Sequence, residues 1–228
     1  MTTFIKQQTQ LGFIALIVLC IMLVSIFFTS KIRQVNVQGF HPHVSQSQLS
    51  KLLIEHKHRI WWLIDRQALS DQLEQLPWVK QADIQLRWPD TIRLYIQEYK
   101  PALRWNQQRI VSESSRVFPV SVSDWDKWRA LPSLIGKPID FQKFMKDWLY
   151  VNEQLRLHAL SVKSIEITPW QDWNIQLHNG TQILLKNNAI IKNINKLSYF
   201  LKGNYNFNLY KPFRIDLRGK GGLAIRPL

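Results

Sequence analysis

From Leu11 to Ser30 the apolar positions are almost unbroken: LGFIALIVLCIMLVSIFFTS carries no charged residue. A helix of that length, rising 1.5 Å per residue, spans about 30 Å, the thickness of a bilayer's hydrocarbon core. A cleaved signal peptide would have a shorter apolar stretch and small residues before the cut, whereas this run closes on Phe27-Phe28-Thr29-Ser30-Lys31. The expectation is an uncleaved transmembrane helix over 11–30, preceded by a short tail over 1–10.

The pattern then changes period. Val35 and Val37 alternate with polar neighbours, predicting a strand that ends at Gly39. Ser45 followed by Gln48 is a capping-box spacing, and Leu49, Leu52 and Leu53 give an apolar face, predicting a helix over 45–55. Asp65 can cap a second helix carrying Ala68, Leu69, Leu73 and Leu76, halted by Pro77. Ile84, Leu86 and Trp88 alternate with polar residues, Pro89-Asp90 turns the chain, and Ile92, Leu94 and Ile96 alternate again. This predicts a hairpin whose outward face carries Arg93, Tyr95 and Gln97. Residues 31–99 thus read β-α-α-β-β, two helices on a three-stranded sheet.

Residues 100–228 read as a mixed β domain with two helices. Short strands are predicted at 102–105, 109–111 and 117–118, and an amphipathic helix at 141–158. Strands follow at 162–168, 173–177 and 181–186, then a helix capped by Asn187 or Asn188. Strands at 213–217 and 223–225 close the chain around a glycine-rich turn. A strand at the end of a chain is expected at a sheet edge, where its backbone can take a partner strand. The fold class is α+β.

Composition narrows the chemistry. With 30 Lys plus Arg against 16 Asp plus Glu the net charge is +14, yet no run or single helix concentrates it, which argues against nucleic-acid binding and for solvated charge beside an anionic bilayer. The one cysteine, Cys20, lies in the apolar run and excludes an internal disulfide or multi-cysteine metal site. His41-x-His43 and His56-x-His58 are the nearest approach to a metal motif, but Lys57 and Arg59 flank the second pair, and both read as solvated loops. Asp124-x-Asp126, beside Lys127 and Arg129, reads as a turn rather than an acid/base pair. Arg218-Gly219-Lys220-Gly221-Gly222 lacks the phosphate-loop spacing. There is no Gly-x-Ser-x-Gly elbow. No cofactor is expected, and no enzyme. Charge alone does not orient the anchor, since Lys6 precedes it and Lys31 and Arg33 follow it.

Three ordered motifs carry a resemblance: Leu76-Pro77-Trp78-Val79-Lys80-Gln81-Ala82, Arg87-Trp88-Pro89-Asp90, and Glu98-Tyr99-Lys100-Pro101-Ala102-Leu103-Arg104-Trp105-Asn106. With the terminal Asp216-Leu217-Arg218 they resemble the FtsQ/DivIB family of bacterial cell-division proteins. The resemblance implies a single-pass inner-membrane protein with a cytoplasmic N-terminus, a periplasmic POTRA domain over 31–99 and a β domain over 100–228. It implies a non-catalytic divisome scaffold at the septum, binding FtsB and FtsL, with FtsK upstream and the FtsW/FtsI synthase downstream. The family's FtsB contact falls here on Asp216, Leu217, Arg218, Gly222, Leu223, Ala224 and Ile225. Gly219 and Pro227 stand where relatives carry Tyr and Trp, so Trp170 and Trp173 are candidate substitutes. Arg93, Tyr95, Gln97 and Glu98 are the candidate POTRA docking residues. The alternative is a POTRA-bearing chaperone or envelope-assembly component, for which neither repeated modules nor a train of barrel strands is present.

Overall fold

The computed structural model describes the chain except residues 1, 30, 40–41, 56–58, 61–62, 107, 204–210 and 220–221, and except the side chains of 2–11, 27–29 and 122–123. His41, the His56-x-His58 pair, Lys220 and Gly221 lie outside the described residues. The chain divides into two compact units, Met1–Tyr99 and Lys100–Leu228.

The first unit opens with helix α1, Thr2–Thr29. Its described side chains, residues 12–26, are exposed; among the described residues no helix is long and apolar enough to cross a membrane. Strand β1 (Gln34–Gln38), helices α2 (Gln46–Ile54) and α3 (Arg66–Glu74), and strands β2 (Val79–Arg87) and β3 (Thr91–Glu98) follow. Both predicted caps form: Ser45 accepts from Gln48 N and Asp65 from Ala68 N. The sheet order is β1-β3-β2, with β1 parallel and β2 antiparallel to the central strand. Leu49, Leu53, Leu69 and Leu73 of the helices and Ile84, Ile92 and Leu94 of the sheet are all buried. Trp88, expected on the apolar face of the hairpin, is instead 56% exposed, because β2 ends at Arg87 and Trp88 belongs to the turn.

The second unit is a nine-stranded sheet carrying two helices. Its strands are β4 (Pro101–Trp105), β5 (Arg109–Ser112), β6 (Val117–Pro119), β7 (Ser133–Ile135), β8 (Val162–Ile167), β9 (Trp173–Leu177), β10 (Gln182–Leu185), β11 (Phe213–Asp216) and β12 (Ala224–Pro227). They lie in the order β12-β11-β10-β9-β8-β7-β4-β5-β6. Strand β7 was not expected from the sequence; it pairs parallel to both β4 and β8 and joins the two halves of the sheet. Helices α4 (Phe141–Arg156) and α5 (Ile190–Gly203) lay Phe144, Met145, Trp148, Val151, Leu155, Ile194 and Leu197 into one core with Ile165, Ile175, Ile183 and Ile215. Asp140 caps α4 by accepting from Lys143 N. The Asn cap expected for α5 does not form: Asn187–Ala189 is a 3-10 turn led by Lys186, with no side-chain cap bond.

Candidate partner-binding edge

The last hairpin places β12 at the rim of the nine-stranded sheet. β11 runs parallel to β10 on its inner side and antiparallel to β12 on its outer side, with Arg214 opposite Arg226, Ile215 opposite Ile225 and Asp216 opposite Ala224. Because side chains alternate across a strand, Ile215 and Ile225 pack toward the helices while Arg214, Asp216, Ala224 and Arg226 share the other face. That face borders an open groove of about 910 Å³, to which Lys186, Arg214, Arg218 and Arg226 contribute four cations and Asp172 and Asp216 two carboxylates.

The charges are not equivalent. Arg218 is clasped to Asp216: its backbone N, Nε and Nη2 all donate to the carboxylate, the last at 2.7 Å. The Arg218 hydrogen bonds hold the Asp216 carboxyl below its ordinary value, and Asp216 raises the guanidinium in turn. Asp172 accepts from Asn187 N. Arg214 and Arg226 form no ion pair among the described residues, and like charges opposite each other on neighbouring strands repel. The groove therefore presents unneutralised positive charge beside an open strand edge.

The other sequence-derived candidates distribute as follows. Gly222 is exposed with open space where a Cβ would stand, and Leu223 is partly buried against the core. Leu217 is 1% exposed, and its backbone is committed, N to Leu184 O and O to Asn193 Nδ2. Trp170 is 82% exposed in the turn two residues before Asp172. Trp173 is a core residue, 3% exposed and 4.9 Å from Phe144 between ring centroids, so it is out of reach of a partner. Its place on β9, between β8 and β10, buries it. Lys186, Arg214 and Arg226 were not singled out by sequence reasoning. The alternation around Ile215 and Ile225 was the available signal, since it sets both arginines on the face opposite the core.

In the first unit Arg93, Tyr95 and Gln97 are exposed on the sheet face away from the helices. Glu98 has a structural task, its carboxylate accepting from His43 N and Val44 N at 3.1 and 3.0 Å. The rim of that sheet at β2 is partly closed, because Ser70 Oγ donates to Ala82 O and Ala82 N donates to Glu74. Asp124 and Asp126 are tied to Lys127 and Arg129 in the 3-10 turn Val122–Trp128. Among the described residues no group of three or more His, Cys, Asp or Glu could hold a metal.

After α1 comes a β-α-α-β-β unit, followed by a mixed nine-stranded sheet whose last strand, β12, lies at its rim. Residues 30–99 match the family model "POTRA domain, FtsQ-type", and residues 103–218 match "Cell division protein FtsQ/DivIB, C-terminal". The chain belongs to the FtsQ/DivIB family of cell-division proteins. It is similar to the cell division protein FtsQ of Thioalkalivibrio sp. (strain K90mix), 28% identical over 165 residues, 71% of this chain and 66% of that protein. That of Coxiella burnetii (strain RSA 493 / Nine Mile phase I) is 22% identical over 198 residues, 87% of this chain and 81% of the relative. That of Xanthomonas campestris pv. campestris is 30% identical over 157 residues, 67% of this chain and 54% of the relative.

Proposed function

We propose that the chain is a non-catalytic, single-pass scaffold of the division machinery, with α1 crossing the inner membrane, the N-terminus cytoplasmic and both units periplasmic at the septum. In this reading FtsB, paired with FtsL, adds a strand to β12, FtsK acts upstream, and the FtsW/FtsI synthase is regulated downstream. The observation that carries it is the coincidence of a sheet rim with no outer strand among the described residues and a cationic groove beside it. Backbone pairing supplies a docking mode tolerant of sequence, and side chains at alternate positions supply selectivity. A strand laid on β12 meets Ile225 on one face and Arg214 and Arg226 on the other, so the fitting segment alternates apolar with acidic residues.

The test is capture of the FtsB extramembrane segment by the full chain in detergent. Arg218→Glu adds a carboxylate beside Asp216 and turns the clasp repulsive, and Ala224→Glu puts an acid on the groove face of β12. Each is expected to weaken capture at least tenfold, with circular dichroism unchanged. Wild-type affinity is expected to fall with added salt, since the groove charges are solvent-facing. Equal capture by wild type and both variants refutes the edge as the docking site.

A further inference from the structure

One hydrogen bond fixes the phase of the terminal ladder. Leu228 N donates to Pro212 O at 3.0 Å, and Phe213 is opposite Pro227, Arg214 opposite Arg226, and Ile215 opposite Ile225. Residues of an antiparallel strand direct both backbone groups alternately to one neighbour and the other. Leu228, Arg226 and Ala224 therefore bond inward to β11, and Pro227, Ile225 and Leu223 face the open rim. The far side of the hairpin agrees: Phe213 N donates to Thr181 Oγ1 and Leu217 N to Leu184 O. Proline has no N–H, so within β12 the rim offers the donor and acceptor of Ile225 and only the acceptor of Pro227.

This matters most for pairing with a second copy. A two-fold antiparallel contact centred on Ile225 sets Leu223 of each copy against Pro227 of the other; of six ladder bonds, the two that need a Pro227 N–H are absent. A contact centred on Arg226 sets Ile225 against Pro227, loses two of four bonds, and brings the two Arg226 side chains face to face, where like charges repel. A partner strand of different sequence in the register centred on Ile225 forgoes only the one bond that needs a Pro227 N–H and can answer Arg226 with a carboxylate.

We propose that Pro227 is a specificity-determining residue of this rim: it withholds a ladder donor two residues past Ile225 and so disfavours self-pairing of β12 in the registers centred on Ile225 and Arg226, while leaving the rim open to a partner of different sequence. Edge strands are commonly protected by proline and charge in this way. The inference rests on the rim being a docking edge, and its partner arm rests on the function proposed above.

The experiment compares the full chain with Pro227→Val and Pro227→Thr in detergent, following monomer–dimer equilibrium by sedimentation and capture of the FtsB extramembrane segment in parallel. Pro227 is exposed and next to last in the chain, and a thermal melt of each variant checks that the sheet persists. Both variants are expected to self-associate at least tenfold more strongly than wild type, and adding Arg226→Glu to Pro227→Val is expected to change that dimer further, as only a β12 contact would. Self-association equal to wild type in both variants overturns the proposal, whatever FtsB does. Stronger self-association without FtsB capture by any form upholds the role of Pro227 and sinks the FtsB reading instead.

Discussion

Two glycines with left-handed backbone show how differently one residue type is held. Gly136 (φ 89°) sits where an added Cβ would stand 2.6 Å from Ile167 O, a backbone atom of β8 that cannot yield without shifting the strand. Gly180 (φ 87°) turns the β9–β10 hairpin, and the nearest atom to its added Cβ is Pro212 Cβ at 3.2 Å. The left-handed conformation alone costs an alanine about 1–2 kcal/mol, so Gly180→Ala is expected near that figure. Gly136→Ala, with strain and collision together, is expected to cost about 3 kcal/mol or more; urea unfolding followed by tryptophan fluorescence ranks the two. His158 offers a titration. Just past the end of α4, its Nε2 meets Ser198 Oγ of α5 at 2.8 Å, and burial, then the Lys202 charge, holds its pKa below the ordinary value. The unfolded chain therefore binds that proton first: the stability is fully present above about pH 6.5 and is lost as pH falls through that value toward the lower folded one. His158→Gln is expected to reduce the difference between urea midpoints at pH 7.5 and 5.5.

At the scale of elements, what could be read in advance is what is written locally. Ser45 and Asp65 were recognisable because a cap is a short-range bond, side chain to a backbone N–H three residues on, and removing one has a local cost. Asp65→Ala is expected to destabilise the first unit by about 1 kcal/mol, seen as faster hydrogen exchange in α3. The β2–β3 and β9–β10 hairpins were legible for the same reason, alternation flanking a turn. Strand β7 was not: three residues, Ser133–Ile135, hold less than two periods of any pattern, and what makes them a strand is parallel pairing to β4 and β8, some 30 residues away on either side. Trp173 was misplaced by a related limit. Alternation put it on a strand, but only the strand order shows that β9 lies inside the sheet with its Trp173 face under α4. The rim was anticipated from its position at the chain end, whereas its cationic groove needed Lys186 brought from β10's end to meet β11 and β12.

Across the whole molecule, the +14 charge acquires a location: part of its excess lines the β12 groove. The proposed docking edge beside that groove is not autonomous. Ile215 and Leu217 belong to the same buried cluster as Trp148, Ile175 and Leu197, with Ile225 packed against it, and every member of that cluster lies between Leu103 and Leu217. Trp148 is 1% exposed and touches no groove charge in the lining described. Replacing it with alanine removes a large buried ring at a cost of about 3–5 kcal/mol, a fifth or more of the margin of an ordinary domain, about 5–15 kcal/mol, and most of it at the lower end. Trp148→Ala is therefore expected to abolish partner capture near 37 °C although it alters nothing on the docking face, and to recover it on cooling to 15 °C, where the core refolds. The first unit has its own buried set, Leu49, Leu73 and Leu94 among them, so hydrogen exchange at those positions should match wild type at both temperatures. Loss of protection there as well would mean that the two units fold as one cooperative body.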